Sequence, residues 1–150
     1  MGDIRNRRER DCLELMPTVV SFLVGVNDAI HAAQGAVRPL DAFRADYRAI
    51  LETTRKALPK CRIVLCEPFL VRAGEVTDRW VADLQPRQKV VCELADEFAD
   101  HWVSLQIPFD DAVGRDESAY WAFDGIHPTC AGFELIAREW ERRAGNLLQK

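Results

Sequence analysis

Apolar positions fall into alternating runs of two kinds along the chain. Residues 3–16 carry Ile4, Cys12, Leu13 and Leu15 on a polar background, a helical spacing that Pro17 should end. Val19-Val20-Ser21-Phe22-Leu23-Val24 is a short apolar run rich in β-branched residues, as expected of a strand buried on both faces. Asp41 is placed to cap a helix whose apolar positions Phe43, Tyr47, Ile50, Leu51 and Leu58 share one stripe, with Pro59 as its stop. Arg62-Ile63-Val64-Leu65-Cys66 predicts a second strand. A helix is clearest from Pro86, taken as its first residue, with Val91, Leu94, Ala95 and Phe98 as the buried face. Residues 102–107 predict a third strand, and residues 108–128 a long loop rich in Asp and aromatics. Thr129 then caps a last helix with Phe133, Ile136, Ala137 and Trp140 on one face.

The resulting order, α-β-α-β-α-β-α, implies parallel strands joined by crossover helices in a three-layer α/β/α sandwich. Ligands in such folds bind at the C-terminal ends of the strands. The length of 150 residues suits one domain spanning residues 1–150, and the 48% apolar content can fill a core.

A net charge of −4 argues against general affinity for nucleic acid or an anionic membrane. The cluster Arg5, Arg7, Arg8 and Arg10, with acids beside it, reads as a solvated helix face. The longest apolar stretch is far too short to span a bilayer. The five cysteines are odd in number and form no Cys-x-x-Cys pair, against both a disulfide framework and a zinc site. Reduced thiols packed as small hydrophobes fit a cytoplasmic home. The polar N-terminus offers no signal-peptide apolar core.

Two short stretches carry candidate chemistry. Gly25-Val26-Asn27-Asp28 lies at the C-terminal end of the first strand, where Gly25 permits a sharp exit and the Asn27 amide can face an oxyanion. The same residues would also make a plain Asx-turn. Asp124-Gly125-Ile126-His127-Pro128-Thr129 directly precedes the last helix. An Asp three residues before a His on a tight turn can accept the Nδ1–H, fix the tautomer and leave Nε2 as a general base; a solvated surface turn is the alternative. Asp28 and His31 share that spacing, so context decides for Asp124 and His127: the intervening glycine, the helix start and the place after the final strand. His101 reads as structural. Tyr120, Trp121 and Phe123 would line an acyl or sugar pocket or pack the long loop, and Glu67-Pro68-Phe69 ends the second strand without an assigned role.

Taken together and in this order, Gly25-Val26-Asn27-Asp28 and Asp124-Gly125-Ile126-His127-Pro128-Thr129 resemble the third and fifth sequence blocks of the SGNH (GDSL-like) hydrolases. The apolar strand before the first block and the helix with Gly132-Phe133 and Trp140 after the second are similar too, so the resemblance covers essentially the whole chain. It implies a flavodoxin-like sandwich, a Ser-His-Asp triad, and an oxyanion hole shared by the serine N–H, a glycine N–H and an Asn. By position, Asn27 resembles the oxyanion donor, His127 the base and Asp124 its orienting partner, with Gly25 and Asp28 as supporting motif residues. The family's Gly-Asp-Ser nucleophile is not found. Gly2-Asp3 is followed by Ile4, Ser21 and Ser104 lie inside predicted strands, and Ser118 lies in the loop without an elbow. The expectation is therefore a fold incomplete at its N-terminus, lacking the first strand and nucleophile segment, and any secretion signal could have gone with them.

The reading is an ester hydrolase for a small acyl or acetyl ester, needing no metal and no organic cofactor, and inactive as this chain alone because the covalent nucleophile is absent. The alternative is a non-catalytic protein that keeps the scaffold and binds a ligand or partner at the old site. A nucleotide-binding domain is disfavoured, because no Gly-rich loop joins a strand to a helix. An uncovered first strand would also favour self-association through its edge.

Overall fold

The computed structural model describes residues 2–33, 35 and 38–148, without the side chains of residues 2, 3, 5, 32, 33 and 148. Three strands, β1 (Val19–Leu23), β2 (Arg62–Cys66) and β3 (His101–Val103), form a parallel sheet in the order β1-β2-β3. The helices are α1 (Gly2–Arg8), α2 (Val26–Ala33), α3 (Leu40–Ala57), α4 (Asp78–Phe98), α5 (Gln106–Val113), α6 (Ser118–Trp121) and α7 (Cys130–Ala144).

The central strand explains the layering. Successive side chains of β2 point to opposite faces. Ile63 and Leu65 pack with Phe22 against Phe43, Tyr47, Ile50 and Leu51 of α3 and Val90, Val91 and Leu94 of α4. Val64 and Cys66 pack on the other side with Val103, Leu105, Phe109 of α5 and Ala144 of α7. The protein is thus an α/β sandwich with a parallel sheet, its strand ends carrying the loops of interest.

Several local expectations give way to tertiary contacts. The first helix is short: α1 stops at Arg8 and a π-helical turn, Glu9–Leu13, follows. Arg7 and Arg10 are exposed and both engage Asp11, at 3.4 and 2.7 Å, but Arg8 is half-buried and does not belong to a solvated face; the side chain of Arg5 lies outside the described ones. The strand β1 is not buried on both faces. Phe22 is inside, but Ser21 and Leu23 of the opposite face are exposed, because α7 covers that face only in part. Asp41 caps nothing: Pro39 holds the N-cap position of α3, and Asp41 sits in the first turn, where its charge suits the helix dipole.

Helix α4 starts eight residues before Pro86 and runs through it. The upstream turns are held by α2, whose Ala29 packs with Leu84, Val81 and Trp80, and this burial outweighs the single backbone hydrogen bond that proline removes. The third strand ends at Val103, not at Ile107; residues 106–107 of the expected strand, and residues 108–113 and 118–121 of the expected loop, are helical. On α7, Gly132, Leu135, Ile136 and Trp140 face inward, whereas Phe133 is 60% exposed and Ala137 is also outside. Of the cysteines, Cys61 and Cys66 are buried, Cys12 is half-buried, and Cys92 and Cys130 are exposed, all as free thiols. No helix among the described residues is long and apolar enough to cross a membrane.

Candidate active site

The turn that carries Asp124 and His127 is built by local hydrogen bonds. Asp124 Oδ1 accepts the backbone N–H of Ile126 at 3.1 Å and of His127 at 2.8 Å, an Asx-type turn. Its second oxygen, Oδ2, lies 2.7 Å from His127 Nδ1. Gly125 between them has φ +92°, which a side chain would resist, and a Cβ there would meet the carbonyl oxygens of Val71 at 2.6 Å and Ala73 at 2.8 Å. Below the turn, Ala122 and Pro128 form an antiparallel bridge. Thr129 Oγ1 then donates to the Tyr120 carbonyl at 2.6 Å and accepts Gly132 N–H at 3.2 Å, which fixes where α7 begins relative to His127.

Electrostatics agree with the geometry. Partial desolvation acts to raise the Asp124 pKa, but the His127 ring N–H and the two backbone N–H groups outweigh it and hold the carboxyl below its ordinary value. An ionised Asp124 can only accept, so Nδ1 is the donor and Nε2 is left as the basic nitrogen. The His127 side chain is 63% exposed. The Phe123 ring stacks on it, with centroids 5.8 Å apart and planes at 17°. Of the other loop aromatics, Trp121 packs into the core and Tyr120 meets it edge-on at 5.1 Å.

Gly25 leaves β1 with φ +129°, and a Cβ on it would press on Pro68 and Phe43. The next residue already starts a helix, so Asn27 and Asp28 lie in the first turn of α2 and not in a loop. Asn27 is exposed, and its amide has no hydrogen-bond partner among the described residues. Asp28 is buried, with Arg38 Nε 3.8 Å away. His31 is exposed at the far end of α2. His101 begins β3, half-buried. Val26 and Ile126, neighbours of Asn27 and His127, line one apolar cavity of about 160 Å³ together with Leu23, Pro68, Phe69 and Phe133. The two stretches singled out in the sequence therefore meet at one end of the sheet.

The chain matches the GDSL-like lipase/acylhydrolase family over residues 2–135. It belongs to that family. Among the relatives of this GDSL-like chain, the acetylxylan esterase of Geobacillus stearothermophilus is 26% identical over 148 residues, 95% of this chain, and the chain spans 66% of that protein's length. Among solved structures, a GDSL-like lipase from Parabacteroides merdae superposes with a TM-score of 0.91 at 37% identity, covering 97% of this chain and 68% of that one. The Geobacillus esterase superposes with a TM-score of 0.80 at 27% identity, covering 94% and 65%. Its solved forms include catalytic mutants at a serine, at an aspartate and at a histidine, the last two lying three positions apart.

Of the GDSL-like chain's three serines, two are engaged elsewhere. Ser21 Oγ accepts the Trp140 indole N–H at 2.9 Å, and Ser104 donates to Glu67 Oε2 at 2.7 Å; Ser118 opens the short helix α6. Sequence reasoning missed what Glu67 does: its Oε2 also accepts the backbone N–H of Leu105 at 2.9 Å and of Gln106 at 3.0 Å, capping α5 from the end of a different strand. No sequence signal announces a cap that arrives from 38 residues away in the chain.

Proposed function

We propose that this GDSL-like chain carries the acid–base and oxyanion half of an ester-hydrolase site for a small acyl or acetyl ester. The observation that carries the reading is the 2.7 Å contact of Asp124 Oδ2 with His127 Nδ1, on a carboxylate whose other oxygen is held by two backbone N–H groups. In this scheme His127 Nε2 takes the proton from an attacking hydroxyl as that oxygen bonds to the acyl carbon. The Asn27 amide donates to the oxygen anion of the tetrahedral species. His127 then returns the proton to the departing alcohol, and the same base activates the water that releases the acid. Asp124 keeps the tautomer and stabilises the imidazolium throughout.

The acetylxylan esterase among its relatives makes an acetylated carbohydrate the favoured substrate class. The test joins a strand ending in Gly-Asp-Ser ahead of this chain and measures hydrolysis of an acetyl ester. Activity that depends on the added serine and on His127 supports the reading, and activity indifferent to His127→Ala sinks it. The engagement of Ser21 and Ser104 elsewhere favours a second reading, a binding protein that holds acetylated oligosaccharide without turnover. Saturable binding by this chain, lost on Asn27→Ala and never followed by acetate release, would select it.

A further inference from the structure

The segment that leaves β2, residues 67–74, is held on two sides. On one side it is bound to the start of α5. Glu67 caps that helix, and the Gln106 side chain answers it: Gln106 Oε1 accepts the Leu70 N–H at 3.2 Å, and Gln106 Nε2 donates to the Leu70 carbonyl at 2.9 Å. The same amide is engaged twice more, since Oε1 accepts from Gln88 Nε2 at 3.1 Å and Nε2 donates to Asp110 Oδ1 at 2.9 Å. Gln88 in turn donates to the Pro68 carbonyl at 2.9 Å. On the other side, one residue beyond the clamp, Val71 N–H donates to the Gly125 carbonyl at 2.8 Å. The fit there is close: a Cβ on Gly74 would lie 2.9 Å from the Asp124 carbonyl oxygen.

We infer that Gln106 is a positioning residue for the Asp124–His127 pair, acting through Leu70, Val71 and the Gly125 carbonyl. The inference rests on the reading of that pair as the base of the site. An amide is the side chain this place needs, because it must both accept from the N–H and donate to the carbonyl of one residue, Leu70. A carboxylate would turn its donor into an acceptor facing the Leu70 carbonyl and Asp110, and a hydrocarbon would leave the Leu70 groups without those bonds. The turn's own hydrogen bonds set its internal shape. Val71 ties that shape to the segment leaving β2, and so helps fix where Nε2 stands.

Backbone hydrogen exchange of the full chain tests this, comparing the Val71, Ile126 and His127 amides with the Leu65 amide of β2. In Gln106→Leu and Gln106→Glu the three loop amides should exchange about tenfold faster relative to Leu65. Ile50→Val, a core change in α3, should lower the melting temperature without speeding the three loop amides relative to Leu65. Gln106→Asn, which keeps the amide but retracts it, supplies the measurement if Gln106→Leu does not fold. An unchanged ratio in the Gln106 variants, or an equal change in Ile50→Val, overturns the inference. Because the readout is exchange and not turnover, its failure is distinct from a failure of His127 to act as a base.

Discussion

The indole N–H of Trp140 donates to Ser21 Oγ at 2.9 Å, tying the last helix to the edge strand β1. Ser21 points out of the sheet and serves packing between elements far apart in sequence. With Ser104 bound to Glu67, the hydroxyl groups of two of the three serines are committed to structure. The chain by itself should therefore hydrolyse an activated acetyl ester no faster than its His127→Ala variant or a denatured control. Turnover that survives Ser118→Ala and disappears with His127→Ala would show that another nucleophile operates.

Once a serine nucleophile is supplied on an added strand, the roles separate by magnitude. His127→Ala should lower kcat by several orders of magnitude, and Asn27→Ala by about 10²–10³-fold, as for the loss of one oxyanion donor. His31→Ala should be harmless, since the Asp124 carboxylate orients His127 and not His31. Steady-state kinetics on one acetyl ester distinguishes the three.

Acid stability should report Asp100. Its carboxylate is partly desolvated, which acts to raise its pKa. The Ile63 N–H at 2.8 Å, Arg55 at 2.6 Å and Arg62 at 2.8 Å outweigh this and hold it down at about 2. A depressed folded pKa stabilises the protein above the ordinary carboxylate value, and the contribution is lost as pH falls from about 4 towards 2. Asp100→Asn should lower stability by about 2 kcal/mol at pH 7 and flatten the pH dependence in that window. Urea melts between pH 2.5 and pH 7 are the measurement, and parallel curves for the two proteins would refute the assignment.

Gly125→Ala should be poorly tolerated. The backbone sits at φ +92°, and the added methyl would press on Val76 and on two carbonyl oxygens of residues 71–73. A loss of about 2 kcal/mol or more is expected, seen as a lower urea midpoint with an unchanged slope. A neutral result would mean the turn can shift away from residues 71–76.

Among the described residues β1 pairs only with β2, leaving its other edge open. Beside that edge Leu23 is 40% exposed and Phe133 60% exposed. We propose that the chain self-associates there at micromolar concentration. Leu23→Lys should shift sedimentation velocity towards monomer. Phe22→Lys would instead damage the fold, because Phe22 lies in the core against Tyr47. A monomeric wild-type chain would dismiss the proposal.

What the sequence determined by itself was whatever depends on neighbours along the chain. The run of β2, the stripe Phe43, Tyr47, Ile50, Leu51 of α3, the face Val91, Leu94, Ala95 of α4 and the Thr129 cap are all local patterns, and all are present. The Asp124–His127 pair was legible for the same reason, its partners lying three residues apart with a glycine turn between them. Helix α2 left a readable trace, Val26, Ala29 and Ile30 at helical spacing, hidden by its abrupt start after Gly25. The start of α5, the passage of α4 through Pro86 and the buttress on Gly125 had no local trace. They depend on Glu67 reaching Leu105 and Gln106, on α2 covering α4, and on Val71 meeting Gly125. Each of these joins groups that only the folded chain brings within hydrogen-bond or packing distance, so tertiary structure alone decided them.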